Sequence, residues 1–195
     1  MQPSAHPALI PTLETERLRL RGHTLADVEA SVAMWADPAV TRFIGGVPAT
    51  EQQTWARVLG YLGSWCLMGF GYWMLEERVT GRFAGEIGFA EFRRETEPPT
   101  RGYPEAGWVL ARALQGRGFA HEALRAVLAW GDGHLRHSRT VCIINPEHTR
   151  SLKLAERCGY RPCGQALYHG EHLTLLSRPR APALAELGGP ERPIA

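Results

Sequence analysis

The residues best suited to hold a charged ligand lie in one short turn between a predicted strand and a predicted helix. The turn reads Gln115, Gly116, Arg117, Gly118, Phe119 and Ala120. A helix that begins here leaves its first backbone N–H groups without partners and carries a partial positive charge at that end. Gly116 and Gly118 let a ligand approach the main chain, and Arg117 can add a charged contact. The turn predicts a phosphate site, although similar turns also occur without a ligand.

Two better-known phosphate motifs do not fit this turn. The dinucleotide pattern Gly-x-Gly-x-x-Gly needs a third glycine, and the residue three positions after Gly118 is His121. A P-loop needs Gly-Lys-Ser/Thr, and the single lysine of the chain is Lys153. The ligand is therefore expected to be a phosphate group held in a different way.

Metal ligands and disulfides are not expected. His134-x-x-His137 and His169-x-x-His172 have usable spacings, but neither pair has an obvious third ligand nearby. The cysteines form no C-x-x-C pair and indicate reduced, mostly buried side chains. They are Cys66, Cys142, Cys158 and Cys163. We expect no metal in the protein, and a cytoplasmic location.

Composition limits the kinds of partner. With 195 residues, 44% hydrophobic content and a formal net charge of +2, the chain predicts one globular domain. The basic residues are dispersed, which argues against a nucleic-acid groove. No apolar run approaches about 18 residues and the N-terminus has no signal-peptide pattern, so we expect neither a membrane anchor nor a leader.

The predicted elements place the turn near the middle of one mixed α/β domain. Residues 1–12 are expected to form a flexible arm, 13–178 the domain and 179–195 a disordered tail. Capping signals at Thr24 and Thr50 begin the first two helices. The predicted strands span residues 17–21, 70–77, 82–92, 105–112, 137–144, 160–168 and 171–177.

This order of elements, with four of its segments, resembles the GNAT superfamily of N-acetyltransferases. The branch most similar is that of the ribosomal-protein N-terminal acetyltransferases. The segments are 13–20 (LETERLRL), 105–108 (EAGW), Gln115-x-x-Gly118-x-Ala120, and 145–151 (NPEHTRS) ahead of Gly159-Tyr160. The resemblance implies a GNAT fold: a central, mostly antiparallel mixed sheet of about seven strands, flanked by four helices and splayed between strands four and five.

The resemblance also implies acetyl-CoA as the co-substrate, with direct attack by a primary amine on its thioester. Pyrophosphate would rest on the turn at residues 115–120, and the pantetheine arm would lie along Trp108, Val109 and Leu110. A base must take a proton from the ammonium group. Glu105 is the first candidate for this base and Glu86 the second.

Two positions depart from the family pattern. The loop after strand five commonly carries Asn-x-x-Ser, with the asparagine holding pantetheine, and the matching residues here are His148 and Ser151. His148 could donate the same hydrogen bond from its ring. A tyrosine that often protonates the departing thiolate is replaced by Ala155. Ser151, a water molecule or Tyr160 would then serve, unless no acid is needed.

These departures keep a second function class open, a non-catalytic acyl-CoA-binding or regulatory module with the same fold. The acceptor amine also stays open among a ribosomal-protein α-amine, a small metabolite and an aminoglycoside-like drug. Its pocket would be lined by the loop 42–48 and by the hairpin around Tyr168 and His169. A homodimer is compatible with this resemblance.

Overall fold

One mixed sheet of eight strands forms the centre of the computed structural model, which describes residues 10–181. Its order is β1-β2-β3-β4-β5-β6-β8-β7. The strands are β1 (Leu13–Glu14), β2 (Leu18–Arg21), β3 (Tyr72–Glu77), β4 (Phe83–Ala90), β5 (Glu105–Leu110), β6 (Arg139–Ile144), β7 (Arg161–Tyr168) and β8 (Glu171–Pro179). The additional strand relative to the sequence prediction is β1, whose two residues are too short to show any alternation.

The sheet parts between β5 and β6. These strands are parallel and pair at a single position, Glu105 with Val141, where the Val141 N–H donates to the Pro104 carbonyl oxygen over 3.0 Å. Every other neighbouring pair in the sheet is antiparallel. The predicted splay between the fourth and fifth expected strands is therefore confirmed, and it opens the sheet beside the Gly-rich turn.

Five α-helices flank the sheet within residues 10–181, one more than predicted. They are α1 (Val28–Trp35), α2 (Pro38–Thr41), α3 (Glu51–Met68), α4 (Phe119–His134) and α5 (Thr149–Arg157). The additional helix is α2. Pro38 occupies the first turn of α2, where its missing N–H costs nothing. The Asp37 carboxylate caps this turn by accepting from the Ala39 N–H over 2.8 Å.

The apolar stripe of α4 fixes the helix against the sheet. Ala123, Leu124 and Val127 are completely buried in the main core. Trp130, one turn further on, packs edge-on against Trp73 of β3 with 5.1 Å between ring centroids. Because the stripe is anchored along its length, the N-terminus of α4 is held firmly beside the end of β5.

Helix α3 buries a different face from the one its large residues suggested. Trp55 and Leu59, two of its large apolar residues, are 39% and 47% exposed. The buried residues of α3 are Thr54, Val58, Tyr61 and Trp65. This rotation matters for function, because it turns Tyr61 and its neighbour Arg57 towards a cavity rather than towards solvent.

The ends of the predicted domain continue a little beyond the expected limits. Ile10 is buried in the core and the Pro11 carbonyl oxygen accepts from the Trp73 indole over 2.7 Å. Pro179 belongs to β8. The remainder of the predicted arm, 1–9, and of the predicted tail, 182–195, lies outside the described residues. Among residues 10–181, no helix is long and apolar enough to cross a membrane.

Candidate active site

Two cavities meet at the place where the sheet parts. A smaller cavity of about 410 Å³ lies on one side of β5, and a larger cleft of about 750 Å³ runs towards the N-terminus of α4. Six residues line both of them: Phe43, Ile44, Trp108, Val109, His148 and Ser151. We call these six residues the junction. Two ligands bound separately can therefore touch each other at this point.

The larger cleft combines the Gly-rich turn with basic side chains. Gln115, Gly116, Gly118, Phe119, Ala120 and His121 line it on the side of α4. Arg42, Arg150, Lys153 and Arg157 line it from the loop after α2 and from α5. A ligand with several phosphate groups is complementary to this surface, because cations and helix N–H groups both favour anions.

The Gly-rich turn keeps its shape through its own glycines and through Arg17, just before β2, and Glu122 of α4. Gly116 and Gly118 have φ values of +77° and +82°, a region that other residues adopt only with strain. Arg17 donates to the Arg117 carbonyl oxygen over 2.9 Å and to the Glu122 carboxylate over 2.6 Å. The turn is therefore preorganised before any ligand arrives.

The side chain of Arg117 does not follow the sequence prediction. Its guanidinium donates to the Glu77 carboxylate over 3.0 Å and also lies 4.7 Å from the centroid of the Phe119 ring. It does not line either cavity. Arg117 therefore lies outside the cleft, and the cations that line the cleft come from the loop after α2 and from α5.

A family model described as an acetyltransferase (GNAT) domain matches residues 17–161. The chain belongs to the GNAT acetyltransferase family. Uncharacterized N-acetyltransferase p20 of Bacillus licheniformis is 29% identical over 154 residues, covering 78% of this chain and 84% of that protein. A putative GNAT-family acetyltransferase of Bordetella pertussis is 35% identical, with a TM-score of 0.76 over 86% of this chain and 99% of its own.

A more distant structure shares the fold. RimL, a ribosomal α-N-protein acetyltransferase solved in complex with coenzyme A, aligns with a TM-score of 0.69 at 15% identity, over 87% of this chain and 98% of its own. The predicted GNAT fold and the acyltransferase class are thus confirmed. The ribosomal-protein branch stays a prediction, since an identity this low supports the fold alone.

The strand edge expected to hold pantetheine lies along the larger cleft. Trp108, Val109 and Leu110 form the end of β5 and all three line the larger cleft. The Gln115 amide donates to the Leu110 carbonyl oxygen over 3.0 Å. Gln115 therefore ties the Gly-rich turn to the end of this strand, which fixes the distance between the two predicted contacts.

His148 and Ser151 lie at the junction. The His148 ring stacks on Phe43 with 4.6 Å between centroids. Burial, and secondarily the charge of Arg150, lower the pKa of His148, which favours the neutral ring. The Ser151 hydroxyl accepts from the Trp108 indole over 3.0 Å. Because the indole only donates, the proton of the Ser151 hydroxyl is available to another group.

Tyr160, an alternative acid in the sequence analysis, is far less accessible. It is completely buried and shares a 2.7 Å hydrogen bond with the Thr140 hydroxyl. It lines neither cavity. Ala155, at the position where many relatives have tyrosine, is also completely buried. Ser151 is the candidate acid that the structure brings to the junction.

Glu105 begins β5 and lines the smaller cavity, where it is 7% exposed. Arg94 donates three hydrogen bonds of 3.0 to 3.2 Å to the Glu105 carboxylate and also donates to the Tyr168 hydroxyl. Burial raises the pKa of Glu105, and the charge of Arg94 opposes this without cancelling it. The carboxylate is thus a somewhat stronger base than an exposed glutamate.

Glu86, the second candidate base, occupies a different environment. It is 0% exposed and lines neither cavity. Its carboxylate accepts from the Ser31 hydroxyl and from the Trp35 indole, and lies 3.6 Å from His23 Nε2. Burial opposes ionisation, but these partners outweigh it and lower the pKa of Glu86. The arrangement favours a role in supporting the wall of the smaller cavity.

Several wall residues of the smaller cavity were missed by sequence reasoning. They are Trp35, Arg57, Tyr61, Tyr72, Phe92 and Arg94. They come from four separate elements or loops, and no local motif joins them. The sequence contains one indirect sign of this cavity, the glycine at position 107 in β5. Any Cβ at that position would overlap the Tyr72 hydroxyl.

One histidine of each pair has other surroundings. His134 stacks on Trp130 with 4.8 Å between centroids, and its Nδ1 lies 2.8 Å from the Trp130 carbonyl oxygen. His169 is at the mouth of the smaller cavity. Within residues 10–181, no group of three or more His, Cys, Asp or Glu side chains is arranged to hold a metal ion.

Proposed function

We propose that this GNAT protein transfers an acetyl group from acetyl-CoA to a primary amine by direct attack on the thioester. The observation that carries the proposal is the junction, where the larger cleft and the smaller cavity meet. The donor would occupy the cleft and the amine the cavity. A C–N bond forms as the C–S bond breaks, and the ammonium proton leaves through the protein.

The residues of the cleft fit coenzyme A. Its pyrophosphate would rest on the backbone at Gly116, Gly118, Phe119 and Ala120, where the first N–H groups of α4 lack helical partners. A side chain at Gly116 would meet no atom within 4 Å, so the approach to the main chain is open. Trp108, Val109 and Leu110 would border the pantetheine arm. The coenzyme A complex of RimL, a structure with this fold, supports the assignment.

We assign the base to Glu105 and the acid to Ser151. Glu105 lies in the cavity that would hold the amine, and its raised pKa suits a proton acceptor. Arg94 contacts both oxygens of this carboxylate and orients it. Ser151 would donate to the departing sulfur, since Trp108 already occupies one of its acceptor positions. His148 would border pantetheine in place of the usual asparagine.

Thiol release from acetyl-CoA measures this activity directly. The acceptor panel should contain amino acids, their amides, polyamines, aminoglycosides and N-terminal peptides, the last representing the ribosomal-protein branch. We expect release with at least one class and a higher melting temperature with CoA. A protein that binds CoA but stays silent across the panel would instead be the acyl-CoA-binding module. A protein whose melting temperature ignores CoA would refute both assignments.

A further inference from the structure

The smaller cavity contains one cation without a carboxylate partner. Its charged lining residues are Arg57, Arg94, Glu105 and Glu171, with His148 and His169 as titratable neighbours. Arg94 and Glu105 neutralise each other. Glu171 is exposed at the tip of the β7–β8 hairpin. Within residues 10–181, Arg57 forms no ion pair.

The Arg57 guanidinium is fixed in place by aromatic neighbours. It stacks on the Trp35 ring with 3.8 Å to the centroid, and its Nε is buried without a hydrogen-bond partner. It also interacts with the Tyr61 hydroxyl, whose pKa burial raises and Arg57 partly lowers again. A planar guanidinium held in this way is suited to bind an oxyanion through paired N–H groups.

Among the described residues, no ion pair joins Arg57 to Glu86. Glu86 is the nearest candidate, because it binds the Trp35 indole on which Arg57 stacks. Its carboxylate is already occupied by Ser31, Trp35 and His23 and does not reach the cavity. A partly buried cation that keeps unused N–H groups lowers its free energy when an anion arrives.

We infer that the acceptor amine carries a carboxylate that Arg57 binds, so that the substrate class is a small amino acid with an apolar or aromatic body. The walls around Arg57 match such a body, because they are built from Trp35, Tyr61, Tyr72 and Phe92. The cavity volume of about 410 Å³ is at the small end of the ligand-site range of about 300–1,000 Å³. This inference rests on the proposed function.

Product binding tests the inference without requiring turnover. Calorimetry in the presence of CoA would compare N-acetylphenylalanine with N-acetylphenylalaninamide, which differ only in the charged group. We expect the acid to bind about 10–100 times more tightly to the wild type, and the two to bind equally to Arg57→Gln. Arg57→Lys should restore part of the difference. Arg136→Gln, which removes an exposed cation outside both cavities, should retain all of it.

Turnover provides the second test. We would measure kcat/KM for phenylalanine, phenylalaninamide and phosphoethanolamine in the wild type and in Arg57→Gln. The ratio of phenylalanine to phenylalaninamide in each protein gives the coupling between the substrate carboxylate and Arg57, as in a double-mutant cycle. A coupling of about tenfold or more supports the inference. Equal ratios in both proteins would overturn it even if amines are acetylated. A preference for phosphoethanolamine would also overturn it, because the bound group would then be a phosphate. Arg57-dependent product binding without turnover of any panel amine would refute the proposed function and the acceptor assignment with it, and would leave Arg57 only as a carboxylate-binding residue.

Discussion

Glu105 illustrates how a single residue combines two opposing influences. Its carboxylate is buried, which raises its pKa, and it faces Arg94, which holds it ionised. Glu105→Gln removes the charge of this carboxylate while keeping the shape of the side chain, and so separates its chemical role from its packing. The same change leaves Arg94 buried without its partner, which costs stability.

We expect Glu105→Gln to lower kcat about 10²–10⁴-fold, because the ammonium proton loses its acceptor. The loss should shrink at high pH, where more of the amine is already deprotonated. Rates from pH 6 to 10 would be measured beside CoA-induced melting shifts, which should persist. Glu95→Gln changes an exposed carboxylate in the connection between β4 and β5, which ends just before Glu105, and serves as the control. Unchanged turnover would transfer the role to His148 or to water.

Ser151→Ala should lower kcat about 10–100-fold for every acceptor, because the departing sulfur loses a hydrogen-bond donor. The KM for acetyl-CoA should change little, since the pyrophosphate contacts are elsewhere. Ser151→Thr keeps the hydroxyl and should recover much of the rate. Steady-state kinetics with one good acceptor would decide the point. Full activity in the alanine variant would mean that water protonates the sulfur.

The site residues predicted from the sequence all belong to local patterns. Gly116, Gly118 and Glu105 stand in recognisable segments around β5. Arg57 was not predicted as a cavity residue, because its position in the cavity depends on which face of α3 is buried. It lies three residues after Thr54 and four before Tyr61, on the polar-looking face, whereas the bulk of Trp55 pointed to a different face.

The N-terminus of α4 is the element on which donor binding depends. Its backbone groups are oriented by the positive φ values of Gly116 and Gly118, so substitutions at either glycine disturb the fold and the ligand together. His121 offers a cleaner probe. It is the third residue of α4, has ordinary helical surroundings and lines the cleft.

His121→Asp should weaken CoA binding at least about tenfold, because a carboxylate would face the phosphates. The free protein should melt at the same temperature or higher, since a helix N-terminus stabilises negative charge. His121→Asn changes the size in the same way without the charge and is the matched control. Calorimetry with CoA gives the comparison. Equal affinity in both variants would place the phosphates away from this turn.

Elements with a clear period or cap were predicted well, and short ones were not. Both capping boxes, at Thr24 and Thr50, are present as expected. Helix α2 has four residues, so no periodicity could identify it, and the proline at its start favoured a break. The connection from 93 to 104 has no clear period or cap, yet it supplies Arg94 to the smaller cavity, and its Glu97 pairs with Leu167 of β7.

Across the whole molecule, buried carboxylates set the response to acid. The pKa of Glu86 is lowered in the folded protein, so its contribution to stability is present above the unfolded value of about 4.3 and is lost as the pH falls further. The pKa of Glu105 is raised, so its effect has the opposite sign: it favours the folded state in acid and is lost as the pH rises.

We therefore expect the melting temperature to fall steeply below about pH 4, where Glu86 must take up a proton. Glu86→Gln should be less stable at pH 7 and show a flatter decline in acid. Glu105→Gln should decline more steeply than the wild type. Melting curves from pH 3 to 7 with Glu95→Gln as the control provide the measurement. Parallel curves for all four proteins would show that other groups govern acid unfolding.

A sheet that parts in its middle acquires inner edges. Apart from the pair Glu105 and Val141, the facing edges of β5 and β6 are not paired with each other. Such unpaired edges recruit further chains in other proteins and lead to aggregation. If the pantetheine arm covers the β5 edge, coenzyme A acts as a solubility factor as well as a substrate. Light scattering during mild heating should then rise sooner in the nucleotide-free protein, and the cell's supply of coenzyme would help to keep the enzyme dispersed.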